Sequence, residues 1–281
     1  MKALLLSDLH CDPAKLDWVA EHAGAFDVVA VAGDLLNIFS SVDPSEQQET
    51  VLRWKKRILA AGSSLVWCSG NHDFFHGEDS PIVRASPDWM TGSDRNFVGD
   101  GATELLTTKS GTLAVTTIPW PVTGADVSVE GHPVAFVDHI QSLLEAGKRL
   151  QQDHPWLVLI HEPPIETKLS VDYFAGEARF TRTLIETWAP DWSLHGHIHE
   201  SFAAVGGSFS DRLETTTCFN AGQSADGADP HNIVLRLEKA AWSARWNGAG
   251  SQRFIDGLLP RQSFPPLEAP ATVSVDSEGA D

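Results

Sequence analysis

The chain has 281 residues, 42% of them apolar and 21% charged, an ordinary globular usage that excludes wholesale disorder. Lysine and arginine number 20 against 38 aspartates and glutamates, and the net charge of −18 argues against a non-specific nucleic-acid binder. No window is apolar enough for a membrane helix, and the run Ala3 to Leu6 is too short for a signal peptide. Three cysteines (Cys11, Cys68, Cys218) cannot all pair, so a reduced, cytoplasmic protein is expected.

In chain order, Ala3 to Ser7 reads as a strand buried on both faces. Leu16, Val19, Ala20 and Ala23 repeat at helical spacing behind Asp12 and Pro13, a cap followed by proline at the first helical position. Asp27 to Ala32 predicts a second strand, Pro44 to Ala61 a long helix and Ser64 to Ser69 a third strand. The pattern β-α-β-α-β implies parallel strands. Phe97 and Val98, Thr103 to Thr108 and Leu113 to Ile118 read as short strands in antiparallel hairpins, turning at Gly99-Asp100-Gly101 and Ser110-Gly111. Val137 to Leu150 predicts a helix, Trp156 to Ile160 a strand, Phe180 to Trp188 a helix and Trp192 to Leu194 a strand. Thr215 to Phe219 and a hairpin of Ile233 to Leu237 with Trp242 to Trp246 follow. The fold class is α/β at the start and α+β overall, with two facing β-sheets flanked by helices. One domain is expected over residues 1–249. Residues 250–281, proline-containing and acidic, read as a tail or surface strap that adds neither ligand nor core strand.

The chemistry follows the buried strands. After the first comes Asp8-Leu9-His10, after the second Gly33-Asp34, and after the third Gly70-Asn71-His72-Asp73. His161 follows the strand at 156–160, and His195-Gly196-His197-Ile198-His199 follows the strand at 192–194. Ligands of open α/β sheets gather at the carboxyl ends of strands, so these five segments are expected to converge on one edge. Carboxylate, amide and imidazole donors without thiolate suit Mn, Fe, Co, Ni or Zn, and are too rich in imidazole for Ca or Mg.

In this order the five blocks resemble the calcineurin-like metallophosphoesterase superfamily, over positions 8 to 199. The resemblance implies that superfamily's sandwich fold and two divalent transition metals, Mn, Fe or Zn. It implies that Asp8, His10 and His199 hold one ion, Asn71, His161 and His197 the other, and Asp34 bridges them. His72 would face the substrate as proton donor or phosphoryl stabiliser, oriented by Asp73. Two ions about 3.5–4 Å apart activate a bridging water as hydroxide, which attacks phosphorus in line with the leaving group.

Around this set, His195, His76 and Trp120 are candidate pocket residues, each weighed against a local structural role. Arg179, Lys168 and Arg182 are candidates for the substrate's remaining charge. His22, His132, His139, His154 and His231 read as solvated. The expected function is hydrolysis of a small phosphate ester, a phosphodiester first, with a phosphomonoesterase or nuclease on the same site as alternatives. A degenerate protein-binding scaffold is the non-enzymatic alternative.

Overall fold

The computed structural model describes residues 1–74, 86–120, 134–171, 177–223, 229–238, 241–248 and 250–259. Apolar runs form β1 (Lys2–Leu6), β2 (Val28–Ala32) and β3 (Ser64–Cys68), with a helix between each pair. Asp12 caps α1 (Pro13–His22), its side chain accepting the N–H groups of Ala14 and Lys15 at 2.9 and 3.3 Å. Asp43 and Pro44 open α2 (Pro44–Ala60) in the same way. Leu16 and Val19 of α1 and Val51, Trp54 and Ile58 of α2 bury one stripe each against Leu4, Leu6, Val29, Val31 and Leu65. The strands run parallel, as the β-α-β-α-β pattern requires.

Two short strands follow, β4 (Ser93–Asp94) and β5 (Phe97–Val98), and then β6 (Thr103–Thr108) and β7 (Gly111–Thr117). Beyond α3 (Val134–Leu150) lie β8 (Trp156–Leu159), α4 (Glu177–Trp188), β9 (Trp192–His195), β10 (Ser210–Leu213) and β11 (Thr216–Asn220). The described chain closes with β12 (Asn232–Glu238), β13 (Ala241–Gly248) and β14 (Ser251–Leu258). One sheet has the order β14-β13-β12-β1-β2-β3-β5-β4 and the other β10-β11-β9-β8-β7-β6. Leu5, Ala30 and Val66 of the first meet Val115, Leu157, Leu194 and Phe219 of the second in one apolar layer. Phe136, Ile140 and Leu144 of α3 cover Trp156 and Val158 on the far side. The result is a four-layer α/β sandwich, two mixed sheets face to face with helices outside. No helix among the described residues is long and apolar enough to cross a membrane.

Two expectations need correction. Phe97 and Val98 do not form a hairpin with Thr103 to Thr108: β5 lies parallel to β3 in the first sheet, and β6 belongs to the second. The Gly99-Asp100-Gly101 segment carries the chain between sheets. Its Gly99 and Asp100 N–H groups bond Gly92 and Met90 carbonyls, and the Asp100 carboxylate takes the buried Ser69 N–H at 2.9 Å.

Nor is the stretch from residue 250 free of strand. Residues 251–258 pair antiparallel with β13 along its whole length, so the sheet continues past the expected boundary at 249. An edge strand exposed on most of both faces has no strong alternation to read, and only Ile255 packs against the inter-sheet core. Truncation after residue 250 therefore removes a full ladder and uncovers part of β13. Its melting temperature should fall by about 5 °C or more; an unchanged melting curve would mean that β14 contributes nothing to the sheet's stability.

Candidate metal centre

The five blocks meet at the carboxyl ends of the parallel strands. Asp8 leaves β1, Asp34 leaves β2, Asn71 and His72 leave β3, His161 leaves β8, and His197 and His199 leave β9. The chain must turn sharply at each strand end, and Asp8, His10, Asp34 and His197 adopt left-handed backbone angles: φ is 52°, 49°, 53° and 66° respectively. Such angles in residues with side chains are costly and cluster at functional sites. The turns also need small neighbours. A Cβ on Gly70 would run into the Asp34 carboxylate and lie 2.9 Å from the His161 ring, and one on Gly33 would strike His161 itself. Gly70→Ala should thus shift Asp34 and His161 apart, cost about 1–3 kcal/mol of stability and lower metal content. Wild-type melting and metal binding in that variant would show the contact to be soft.

Asp34 stands at the centre. Its Oδ1 accepts the His72 N–H at 2.9 Å, while Oδ2 lies 3.2 Å from His161 Nε2, 3.8 Å from His72 Nε2 and 4.0 Å from His10 Nε2. On one side, Asp8 Oδ1 is 3.3 Å from His199 Nε2, which is 3.1 Å from His10 Nε2. One ligand atom from each of Asp8, His10, Asp34 and His199 falls within 4.8 Å of all the others. On the other side, Asn71 Oδ1 lies 3.2 Å from His161 Nε2 and 2.8 Å from His197 Nδ1.

The donor chemistry fits cations. His10 Nδ1 faces the Leu36 carbonyl at 3.1 Å and His161 Nδ1 the Ala32 carbonyl at 2.7 Å. A carbonyl only accepts, so in each neutral ring the proton is on Nδ1 and the Nε2 lone pair points into the cluster. With a cation present, the lone pairs of His10, His161, Asp34 and Asn71 would converge on it; without one, protons on His161 and His199 bridge to Asp34 and Asp8. Asp8 Oδ2 is buried without a hydrogen-bond partner, an arrangement expensive unless a positive charge is shared. The electrostatics show how strongly the carboxylates call for positive charge, which a proton on His161 supplies where a cation would otherwise sit. Burial opposes charge on His161, yet Asp34 and Asp8 outweigh it and raise its pKa to about 10. Burial would raise the Asp8 pKa, but the bond to His199 and the charge of His161 hold it low. Burial, with His161 nearby, pushes His197 down to about 4, leaving its ring neutral and able to ligate.

The other expected residues divide. Trp120 does border the cluster, its ring centroid 5.5 Å from that of His161 and 5.4 Å from that of His197. Asp73 does not reach for His72: its two oxygens take the N–H groups of Leu36 at 3.0 Å and Gly70 at 2.8 Å, pinning two ligand loops together. Burial, helped by Asp34, raises its pKa to about 8. The His72 ring is met instead by the Ile38 N–H, 3.4 Å from Nδ1. His195 is fully buried under the site. Its Nδ1 lies 2.9 Å from the Ile160 and Glu162 carbonyls, so it holds the loop that carries His161. Lys168 pairs with Asp211, Arg182 with Glu166 and Glu186, and Arg179 is exposed on α4, so none of the three is drawn into the cluster. His231, expected in solvent, is 3% exposed and packed by Phe202 and Trp246. His76 and His132 lie outside the described residues.

Some supports escape sequence reading. Asn220, at the end of β11, donates through Nδ2 to the Gly196 and Ile198 carbonyls and so brackets His197. Its place after a parallel strand was the available signal, the same one that marks the ligands. The Gln223 N–H bonds the His199 carbonyl at 2.7 Å, and nothing in its sequence context announces that role.

Carboxylates and imidazoles gathered at the strand ends of a face-to-face α/β sandwich form a group able to hold a metal ion. The chain belongs to the calcineurin-like phosphoesterase family, whose model matches residues 1–201, and metal-dependent hydrolysis of phosphoesters is that family's general chemistry. In fold it is similar to TT1561 of Thermus thermophilus, at 14% identity and TM-score 0.52, covering 91% of this chain and 98% of that one. It is similar also to GAP50, described as the anchor in the inner membrane complex of Plasmodium, at 10% identity and TM-score 0.52, covering 94% and 90%.

Proposed function

We propose that this protein hydrolyses small phosphate esters, phosphodiesters foremost, with two divalent transition ions of the Mn, Fe or Zn type. Asp8, His10 and His199 would hold one ion and Asn71, His161 and His197 the other, with Asp34 shared. The observation that carries this reading is the position of Asp34 Oδ2, within reach of both His10 and His161. Such a pair of ions supplies an activated water and neutralises the phosphoryl oxygens.

The chain's own residues do the rest. His72 is no member of either ligand group and faces the cluster from one side, where its Nε2 can meet a phosphoryl oxygen. The Ile38 N–H directed at its Nδ1 favours the tautomer with the proton on Nε2. Burial lowers the pKa of His72 against the pull of Asp34, which also favours a neutral ring that donates one hydrogen bond. His195, Asp73 and Asn220 hold the loops in place. The acidic surface disfavours polyanions, so a small ester is the expected substrate and nucleic acid is not.

Elemental analysis after metal reconstitution, with a panel of bis-p-nitrophenyl phosphate, p-nitrophenyl phosphate and single-stranded DNA at low salt, tests the reading. Two metals per chain and turnover of the small diester are expected, abolished by chelation. Higher turnover of the monoester would make the protein a monoesterase, and efficient DNA cleavage a nuclease. A protein that binds no metal and turns over none of them would be a scaffold.

A further inference from the structure

Two aromatic side chains flank the cluster from opposite groups of residues. On the His72 side stands Phe39, 83% exposed, its ring 5.3 Å from that of His72 at a near-perpendicular angle. On the His161 and His197 side stands Trp120, half-buried, its ring against both imidazoles. Neither is placed by accident of a loose loop. Gln47, 2% exposed at the start of α2, takes the Asn37 N–H with Oε1 and gives its amide hydrogens to the Asn37 and Val42 carbonyls. Asn37 Oδ1 in turn accepts the Phe39 N–H at 2.9 Å. A buried polar side chain thus props an aromatic ring in water, beside Ile38 and Val42, which are also exposed. Phe39, Ile38 and Val42 together form an exposed apolar group at the site's rim, and contiguous exposed apolar surface of this kind marks binding sites. The Trp120 backbone is anchored as well: its main-chain N–H donates to Ser69 Oγ at 2.9 Å, and the Ser69 N–H is held by the buried Asp100.

The cations that were candidates for further anionic groups are engaged elsewhere or exposed on α4. Among the described residues, the aromatic rings of Phe39 and Trp120 lie against His72, His161 and His197. Resting on the phosphoesterase reading above, we infer that Phe39 and Trp120 form the walls of the organic-group subsite and select phosphoesters that carry a planar, uncharged aromatic ring. A ring bound there stacks on or meets the edge of one wall while its phosphoryl group lies over the cluster. Stacking on an aromatic side chain tolerates any flat ring and needs no hydrogen-bond pattern.

Calorimetric binding of phosphonates to the metal-loaded protein tests this without requiring turnover. Phenylphosphonate should bind about tenfold more tightly than methylphosphonate, and more tightly than cyclohexylphosphonate of similar size. An adenosine phosphonate beside phenylphosphonate separates the two sources of a flat ring: the tighter ligand identifies a nucleotide or a simple aryl ester. In Phe39→Ala and Trp120→Ala the phenyl-to-methyl ratio should fall to within about threefold; should Trp120→Ala fail to fold, Trp120→Leu and the exposed Phe39→Ala carry the same test. Equal affinity for phenyl- and cyclohexylphosphonate, or a ratio unmoved in both variants, would overturn the subsite. Hydrolysis of bis-p-nitrophenyl phosphate is read separately. Turnover with no aromatic preference loses the subsite alone, and aromatic preference without turnover keeps the subsite and loses the proposed reaction.

Discussion

Asp34→Asn should lower occupancy of both metal positions and reduce turnover of a small diester by about a thousandfold or more. The amide has nearly the shape of the carboxylate, so the His72 N–H keeps its acceptor and the fold is little disturbed. What changes is charge and donor capacity at one atom. Oδ2 now lies near His161 on one side and His10 on the other; with the amide oxygen kept toward the His72 N–H, an NH2 group that cannot ligate takes its place. Both ligand groups therefore lose the same anion. His197→Ala and His199→Ala offer the contrast, since His197 touches Asn71 and His199 touches Asp8. Each should deplete mainly one ion. Elemental analysis of the three variants decides it: two metals retained in Asp34→Asn would remove the shared-ligand reading, and a selective loss of one would make Asp34 a ligand of a single ion.

Much of this geometry is legible before any coordinates, for a physical reason. A strand buried on both faces is a continuous apolar run, and polar residues at its end stand out as the place where the chain leaves the core. Asp8, Asp34, Asn71, His161 and His197 are all marked in that way, and the sheets bring them together. Residues whose part is played through backbone contacts carry no such mark. His195 looks like a pocket histidine by its spacing from His197, but its ring is spent on the Ile160 and Glu162 carbonyls. Asp73 sits beside His72 in sequence, yet its carboxylate faces the other way, toward Leu36 and Gly70. Chain neighbours at a sharp turn point to different sides, and spacing alone does not say which. The edge strand β14 is hidden for the opposite reason: water covers most of both its faces, so no hydrophobic period is imposed on it.

His72→Ala should separate catalysis from metal binding. His72 lies outside both ligand groups, its Nε2 3.8 Å from Asp34 Oδ2, so its removal should leave two ions per chain. Activity should nonetheless fall about 10²–10³-fold, the usual cost of removing one donor to a developing negative charge. The leaving-group dependence then tells which role the ring plays. A proton donor matters little when the leaving group is as stable as p-nitrophenolate and greatly when it is an alkoxide. A neutral ring that only donates a hydrogen bond to a phosphoryl oxygen matters about equally for both. With the Ile38 N–H directed at Nδ1 and burial disfavouring the doubly protonated ring, the second pattern is expected: similar losses on p-nitrophenyl and alkyl esters. A loss much larger on alkyl esters would make His72 a proton donor, and loss of metal along with activity would make it a ligand. The ring's other neighbours sharpen the experiment. Phe39 packs on it edge-on and His10 lies 4.6 Å away, so the alanine variant leaves a gap that exogenous imidazole can fill. Partial recovery of turnover on adding imidazole, with metal content unchanged, is the result that a hydrogen-bond donor at this position predicts.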